Sequence, residues 1–275
     1  MPETAAPTQR RPVWSRLLRA VLGVAGLYLL LCLALFLFGD ALLFRAPRAS
    51  YRDDGRILKL RAADGARISA RYLPSPGARY TLLFSHGQGD DLGTIAPFLE
   101  RLHDWGYAVL AYDYHGYGTS EGRGSEAHAY QDIDAAYDYL TRQQHVPPAR
   151  IIAYGYSLGS GPTVDLAARR PVGGMVLDSA FTSVGRVFAP ARLLPYDAFR
   201  NREKIARVTC PVLIIHRRDD RVVRFSQGQA LYQAAHAPKQ NYWAERGGHT
   251  AIYRETDPQY EQRLTTFRDL LERTR

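Results

Sequence analysis

The chain has 275 residues, 46% hydrophobic and 23% charged, enough for one apolar segment plus one globular domain of roughly 220 residues but not for two large domains. Its formal charge of +9 is uneven: seven of the 36 basic and two of the 27 acidic residues fall in residues 1–52, leaving 29 and 25 for the remainder. A nucleic-acid binder would carry its excess on the folded domain, whereas here the excess flanks an apolar stretch and suits anionic lipid headgroups, so nucleic acid is not expected as a partner.

Residues 1–19 read as a basic tail and residues 20–39 as a transmembrane helix. Ala20 to Gly39 contains no charged side chain and is dominated by leucine, long enough to cross the hydrocarbon core. A cleaved signal peptide would have a shorter apolar core and a small-residue cleavage site, but the exit reads Asp40-Ala41-Leu42-Leu43-Phe44-Arg45. Arg10, Arg11, Arg16 and Arg19 before the helix are balanced by Arg45, Arg48, Arg52 and Arg56 after it. A short tail with four arginines is hard to translocate, which favours a cytoplasmic N-terminus and a catalytic domain on the non-cytoplasmic side. Cys32 and Cys210 lie in environments too different to pair, and they support neither a disulfide nor a zinc site.

After a linker at 40–54, the domain at 55–275 opens with strand patterns at Ile57–Arg61 and Arg67–Leu73, joined by the hairpin signal Ala63-Asp64-Gly65. Short apolar runs follow at Tyr80–Phe84, Tyr107–Tyr112, Ile151–Tyr154, Gly174–Leu177 and Val212–Ile215. They alternate with helical segments at Thr94–Trp105, Ala127–Gln144, Leu158–Arg169, Ser226–Ala235 and Gln259–Glu272. This alternation predicts an α/β fold with a mostly parallel central sheet flanked by helices. Residues 181–209 break the rhythm. They mix apolar and arginine residues and are either a short cap over a cleft or an ordinary crossover with extra turns.

Gly155-Tyr156-Ser157-Leu158-Gly159 follows one of these strands and leads into a helix, the context a GxSxG elbow requires. Ser157 is therefore the candidate nucleophile, and it needs an adjacent base. In the chain order serine, acid, histidine, only His216, His236 and His249 follow it. His249 is favoured because Arg246-Gly247-Gly248-His249-Thr250 can form a loop after the Tyr242–Ala244 strand pattern. His86, His103, His115, His128 and His145 precede the serine. Asp220 is the favoured acid, with Asp219 and Asp178 as alternatives, since all three follow strands. Ser85-His86-Gly87-Gln88-Gly89 offers a bare backbone turn in which the amides of Gln88 and Leu158 would hold an oxyanion. No phosphate-loop or dinucleotide pattern is present, and no cofactor or metal is expected.

Several motifs in order carry a resemblance over roughly residues 55–272. They are Phe84 to Gly93 (FSHGQGDDLG), Tyr112 to Gly118 (YDYHGYG) with Ser120, Gly155 to Gly159, Leu177 to Ser183 (LDSAFTS), Pro211 to His216 (PVLIIH) and Gly247-Gly248-His249. On these the domain resembles the membrane-anchored branch of the α/β-hydrolases that includes the eukaryotic protein depalmitoylases and many uncharacterised bacterial relatives. The resemblance implies a Ser157, Asp220, His249 triad acting on an acyl ester or thioester, of lipid or of acylated protein, at a membrane. A serine aminopeptidase-type peptidase and a hydrolase-fold binding protein are the alternatives. Three features depart from the family pattern: Arg217 replaces a usual glycine, His115 stands where the family usually has arginine or another residue, and an apolar helix takes the place of an N-terminal cysteine cluster. The sequence leaves the oligomeric state open.

Overall fold

The computed structural model describes residues 13–188, 197–236, 238–250 and 258–274. Eight strands form one sheet: β1 (Ile57–Arg61), β2 (Arg67–Leu73), β3 (Thr81–Ser85), β4 (Ala108–Tyr112), β5 (Ile151–Tyr156), β6 (Gly174–Asp178), β7 (Val212–Arg217) and β8 (Lys239–Ala244). Their order is β1-β2-β4-β3-β5-β6-β7-β8. The hairpin β1–β2 is antiparallel and so is the β2–β4 pair, while every pairing from β4 through β8 is parallel. Gly65 closes the hairpin with a φ of 95°, a conformation that a residue with a β-carbon adopts at a cost.

The parallel strands are apolar on both faces because helices cover both. Leu82 and Phe84 of β3 join one cluster with Phe98, Phe267 and Leu271, whereas Leu83 points the opposite way and packs with Ile133 and Leu166. The first face belongs to α2 (Ala96–Asp104) and α8 (Pro258–Arg273), the second to α3 (Glu126–Asp138) and α4 (Ser160–Arg169). Ser125 caps α3 by accepting the N–H of His128. The long helix expected at 127–144 ends as α3 at Asp138 and continues as a π turn over Tyr139–Gln143. Between β6 and β7 lie the short helices α5 (Val184–Phe188) and α6 (Asn201–Ile205); residues 189–196 of the expected cap lie outside the described residues. Helix α7 (Phe225–Ala234) joins β7 to β8.

The apolar segment is a helix, α1, over Val13–Leu43, longer at both ends than its uncharged stretch. Within Arg16–Leu43 an 18-residue window has a mean hydropathy of 2.7 and none of that window is buried in the protein, so the helix is long and apolar enough to cross a membrane. Only its C-terminal end docks. Phe44, immediately after it, is buried against Tyr114 and Phe199, with ring centroids 6.2 and 6.0 Å away.

Candidate active site

Ser157 sits directly beyond the C-terminal end of β5 with a φ of 49°, in the left-handed region that a non-glycine residue occupies only when its surroundings enforce it. The flanking glycines explain how the turn closes. A β-carbon on Gly155 would lie 2.6 Å from the carbonyl oxygen of Gly159, and one on Gly159 would lie 2.0 Å from the carbonyl oxygen of Ser85 on neighbouring β3. The elbow is pressed against β3 at that point.

Two further loops meet the serine. The loop after β8 carries His249, whose Nε2 is 2.9 Å from Ser157 Oγ. The loop after β7 carries Asp220, whose Oδ2 is 2.7 Å from His249 Nδ1. The other oxygen of Asp220 accepts the N–H groups of Val222 and Val223, each at 2.9 Å, so the carboxylate is aimed by its own loop. Burial opposes its charge, but the hydrogen bond and charge of His249 and the Val223 N–H outweigh burial and hold the carboxyl below the usual carboxylate range. With Nδ1–H donating to Asp220, Nε2 presents its lone pair to the serine hydroxyl. Such an arrangement can take a proton from an attacking hydroxyl and return it to a leaving group.

Gln88 lies in the loop after β3, the strand hydrogen-bonded to β5 with Ser85 opposite Gly155. Its backbone N–H has no acceptor among the described residues. Leu158 follows the serine in a 3₁₀ turn over Ser157–Gly159, whose first N–H groups have no partner within the turn. Gln88 also does something the sequence did not suggest: its side-chain Nε2 donates to the carbonyls of Leu43 at 2.6 Å and Leu42 at 3.3 Å. These are among the last carbonyls of α1, which a helix cannot satisfy internally. The apolar helix is thereby tied to the loop beside Ser157.

A family model described as serine aminopeptidase, S33, matches residues 76–196. Alpha/beta hydrolase domain-containing protein 17B of Xenopus tropicalis is 42% identical over 211 residues, covering 75% of this chain and 73% of that protein. The chain belongs to the α/β-hydrolase family. The human 17B protein is 41% identical over the same length and coverage. The Pyrococcus furiosus esterase Pf2001 superposes with a TM-score of 0.69 at 17% identity, covering 81% of this chain and 97% of that one, a likeness of fold.

In this hydrolase the two alternative acids are engaged elsewhere. Asp178 is buried between Arg217 Nη1 at 2.9 Å and the Tyr260 hydroxyl at 2.8 Å, and the serine beside it donates to it. Arg217, the departure from the family's glycine, is the buried counter-ion of Asp178. Asp219 accepts the N–H groups of Gly247 and Gly248 at 3.2 and 2.9 Å and so anchors the histidine loop. His216 Nε2 faces the Val223 carbonyl at 2.9 Å and braces the Asp220 loop, while His236 is exposed.

Sequence reasoning missed three residues that support the site. The Tyr156 hydroxyl donates to the His249 carbonyl at 2.8 Å. Ser160 Oγ donates to the Ser157 carbonyl at 2.7 Å, and Asn201 of α6 donates to Ser160 Oγ and to the Phe181 carbonyl. Tyr156 stood in the motif itself; Asn201 had no local signal.

Proposed function

We propose that the chain is a membrane-anchored serine hydrolase that cleaves carboxylic esters or thioesters, with acyl lipids or acylated proteins as its substrates. The observation that carries this reading is the continuous relay from Ser157 Oγ through His249 to Asp220, with spacings of 2.9 and 2.7 Å. Ser157 attacks the acyl carbonyl while His249 Nε2 removes its proton, and Asp220 stabilises the imidazolium without taking the proton. The carbonyl oxygen becomes an oxyanion facing the N–H groups of Gln88 and Leu158, and losing one such donor costs about a hundredfold or more in rate. Collapse expels an alcohol or thiol protonated by His249. Water, activated by the same imidazole, then releases the fatty acid and restores Ser157.

The position of α1 supports this substrate class. Its last carbonyls accept from Gln88, in the loop proposed to hold the oxyanion, so the reacting centre lies close to the end of a helix fit to span a bilayer. Acyl chains partition to that level of a membrane. Val222, next but one to Asp220, and Phe188 at the end of α5 expose apolar side chains that suit such a chain.

A panel of acyl esters and thioesters of increasing chain length, offered to the full chain in mixed micelles, tests the proposal. Turnover that rises toward long acyl groups is expected. A second reading is favoured by the match to the serine aminopeptidase model over residues 76–196. Cleavage of aminoacyl amides with esters and thioesters left intact would establish that peptidase instead.

A further inference from the structure

Two histidines and a carboxylate converge at a place the proposed hydrolysis does not use. Asp64 is in the turn of the β1–β2 hairpin, His115 follows β4, and His128 is in the first turn of α3. His115 Nε2 lies 3.2 Å from Asp64 Oδ2, and His128 Nε2 lies 3.8 Å from the same oxygen. All three donor atoms fall within 4.8 Å of one another. The two imidazole rings are stacked, 4.5 Å between centroids and 16° between planes.

The opposite side of each ring is already committed. His115 Nδ1 is 2.5 Å from Oδ1 of the buried Asp132, and His128 Nδ1 is 2.7 Å from the carbonyl oxygen of Arg123. A carbonyl can only accept, so His128 carries its proton on Nδ1, and the Asp132 carboxylate fixes the same tautomer on His115. Each ring therefore turns its Nε2 toward the same carboxylate oxygen of Asp64. Imidazoles held from behind by a carboxylate and a backbone carbonyl are how proteins present histidine to a metal.

We propose that Asp64, His115 and His128 bind one zinc ion, with solvent completing the coordination. Tetrahedral zinc with nitrogen and oxygen ligands at about 2.0–2.2 Å places adjacent donors about 3.4 Å apart, and the two distances from Asp64 lie on either side of that value. His115 is the fixed member: its side chain is 1% exposed, and the chain at Gly122 passes so close that a β-carbon there would lie 2.5 Å from its ring. His128 and Asp64, with side chains 34% and 37% exposed, leave the ion a route from solvent. Two imidazoles and a carboxylate suit zinc better than calcium or magnesium, which take all-oxygen sets. The ion ties the hairpin turn to the loop after β4 and to α3. None of its ligands belongs to the Ser157, Asp220, His249 relay, so its role is structural and the inference stands apart from the proposed hydrolysis.

The test is metal stoichiometry and zinc affinity of the full chain, purified in detergent without a histidine tag and dialysed against zinc-free buffer. One zinc per chain is expected after loading, with a melting temperature several degrees above that of the metal-free chain. Asp64→Asn and His128→Gln should each weaken zinc at least about 100-fold. Asn keeps the Oδ1 that accepts the Ala66 N–H, so the hairpin turn survives the first change. His249→Ala should leave the stoichiometry at one. Zinc lost from the unaltered chain on dialysis, zinc retained unchanged by both ligand variants, or zinc lost only with His249→Ala would each overturn the assignment.

Discussion

Three aspartates follow strands where an acid could serve, and their surroundings separate them. Asp220 faces His249, Asp219 holds the loop that carries His249, and Asp178 neutralises Arg217 in the interior. Asp220→Asn should lower kcat by about four orders of magnitude, because the amide no longer holds the histidine tautomer. Asp178→Asn should act on stability instead, costing about 3–5 kcal/mol by leaving Arg217 buried without its counter-ion, as a denaturant titration would register. The depressed carboxyl of Asp220 gives a pH signature with a definite sign. Its stabilising effect is full above the unfolded carboxylate value of about 3.9 and is lost as pH falls through the lower folded value. The stability gap between the natural chain and Asp220→Asn should therefore be constant near neutrality and close in acid, as unfolding curves from pH 3 to 6 would record. At this scale Ser157 and His249 were legible because motif, order and loop position converge on them. The acid was less so: Asp220 was favoured but Asp219 and Asp178 stayed open, since a side chain's direction at the end of a strand depends on partners such as Arg217 and Tyr260 around Asp178, far away in sequence.

The elbow works because one secondary-structure element is pressed against another. Gly159→Ala drives a methyl group into the carbonyl of Ser85, a backbone atom that cannot swing aside. The substitution should cost about 3 kcal/mol or more and lower activity with it, measured as the melting temperature and the turnover of a soluble ester. The glycines of Gly155-Tyr156-Ser157-Leu158-Gly159 were readable from sequence as a tight turn, but the β3 backbone they accommodate was not. The first seven strands were readable to within two residues, because a sheet buried on both faces writes itself as short apolar runs, whereas β8 begins three residues before its Tyr242–Ala244 pattern and α1 outruns its uncharged stretch at both ends. The π turn that ends α3 left no such trace, as Tyr139 to Gln143 continue the helical pattern without a proline or glycine.

The whole molecule is a hydrolase domain with a long apolar helix docked beside its candidate site. Tyr114, Phe199 and the chain at Gly124 enclose Phe44, and the Gln88 side chain donates to the carbonyl of Leu43 at the helix end. The helix itself was legible from hydropathy; its docking was not, because Phe44 and Gln88 carry no pattern that points to each other. Removing residues 1–39 keeps the docking residues Leu42, Leu43 and Phe44. The shortened chain should lose co-sedimentation with phospholipid vesicles, still hydrolyse a water-soluble short-chain ester, and lose most of its turnover on vesicle-borne long-chain substrates. Equal turnover of vesicle-borne substrates by both forms would separate the helix from substrate access.

If His249 activates Ser157 as a nucleophile, the serine is open to covalent capture. The full chain is incubated with a fluorophosphonate and its intact and peptide masses are determined, alongside Ser157→Ala. One phosphonyl adduct per chain is expected, located on Ser157 and absent from the variant. A chain that takes up no adduct, or carries it on another residue in both forms, would contradict it.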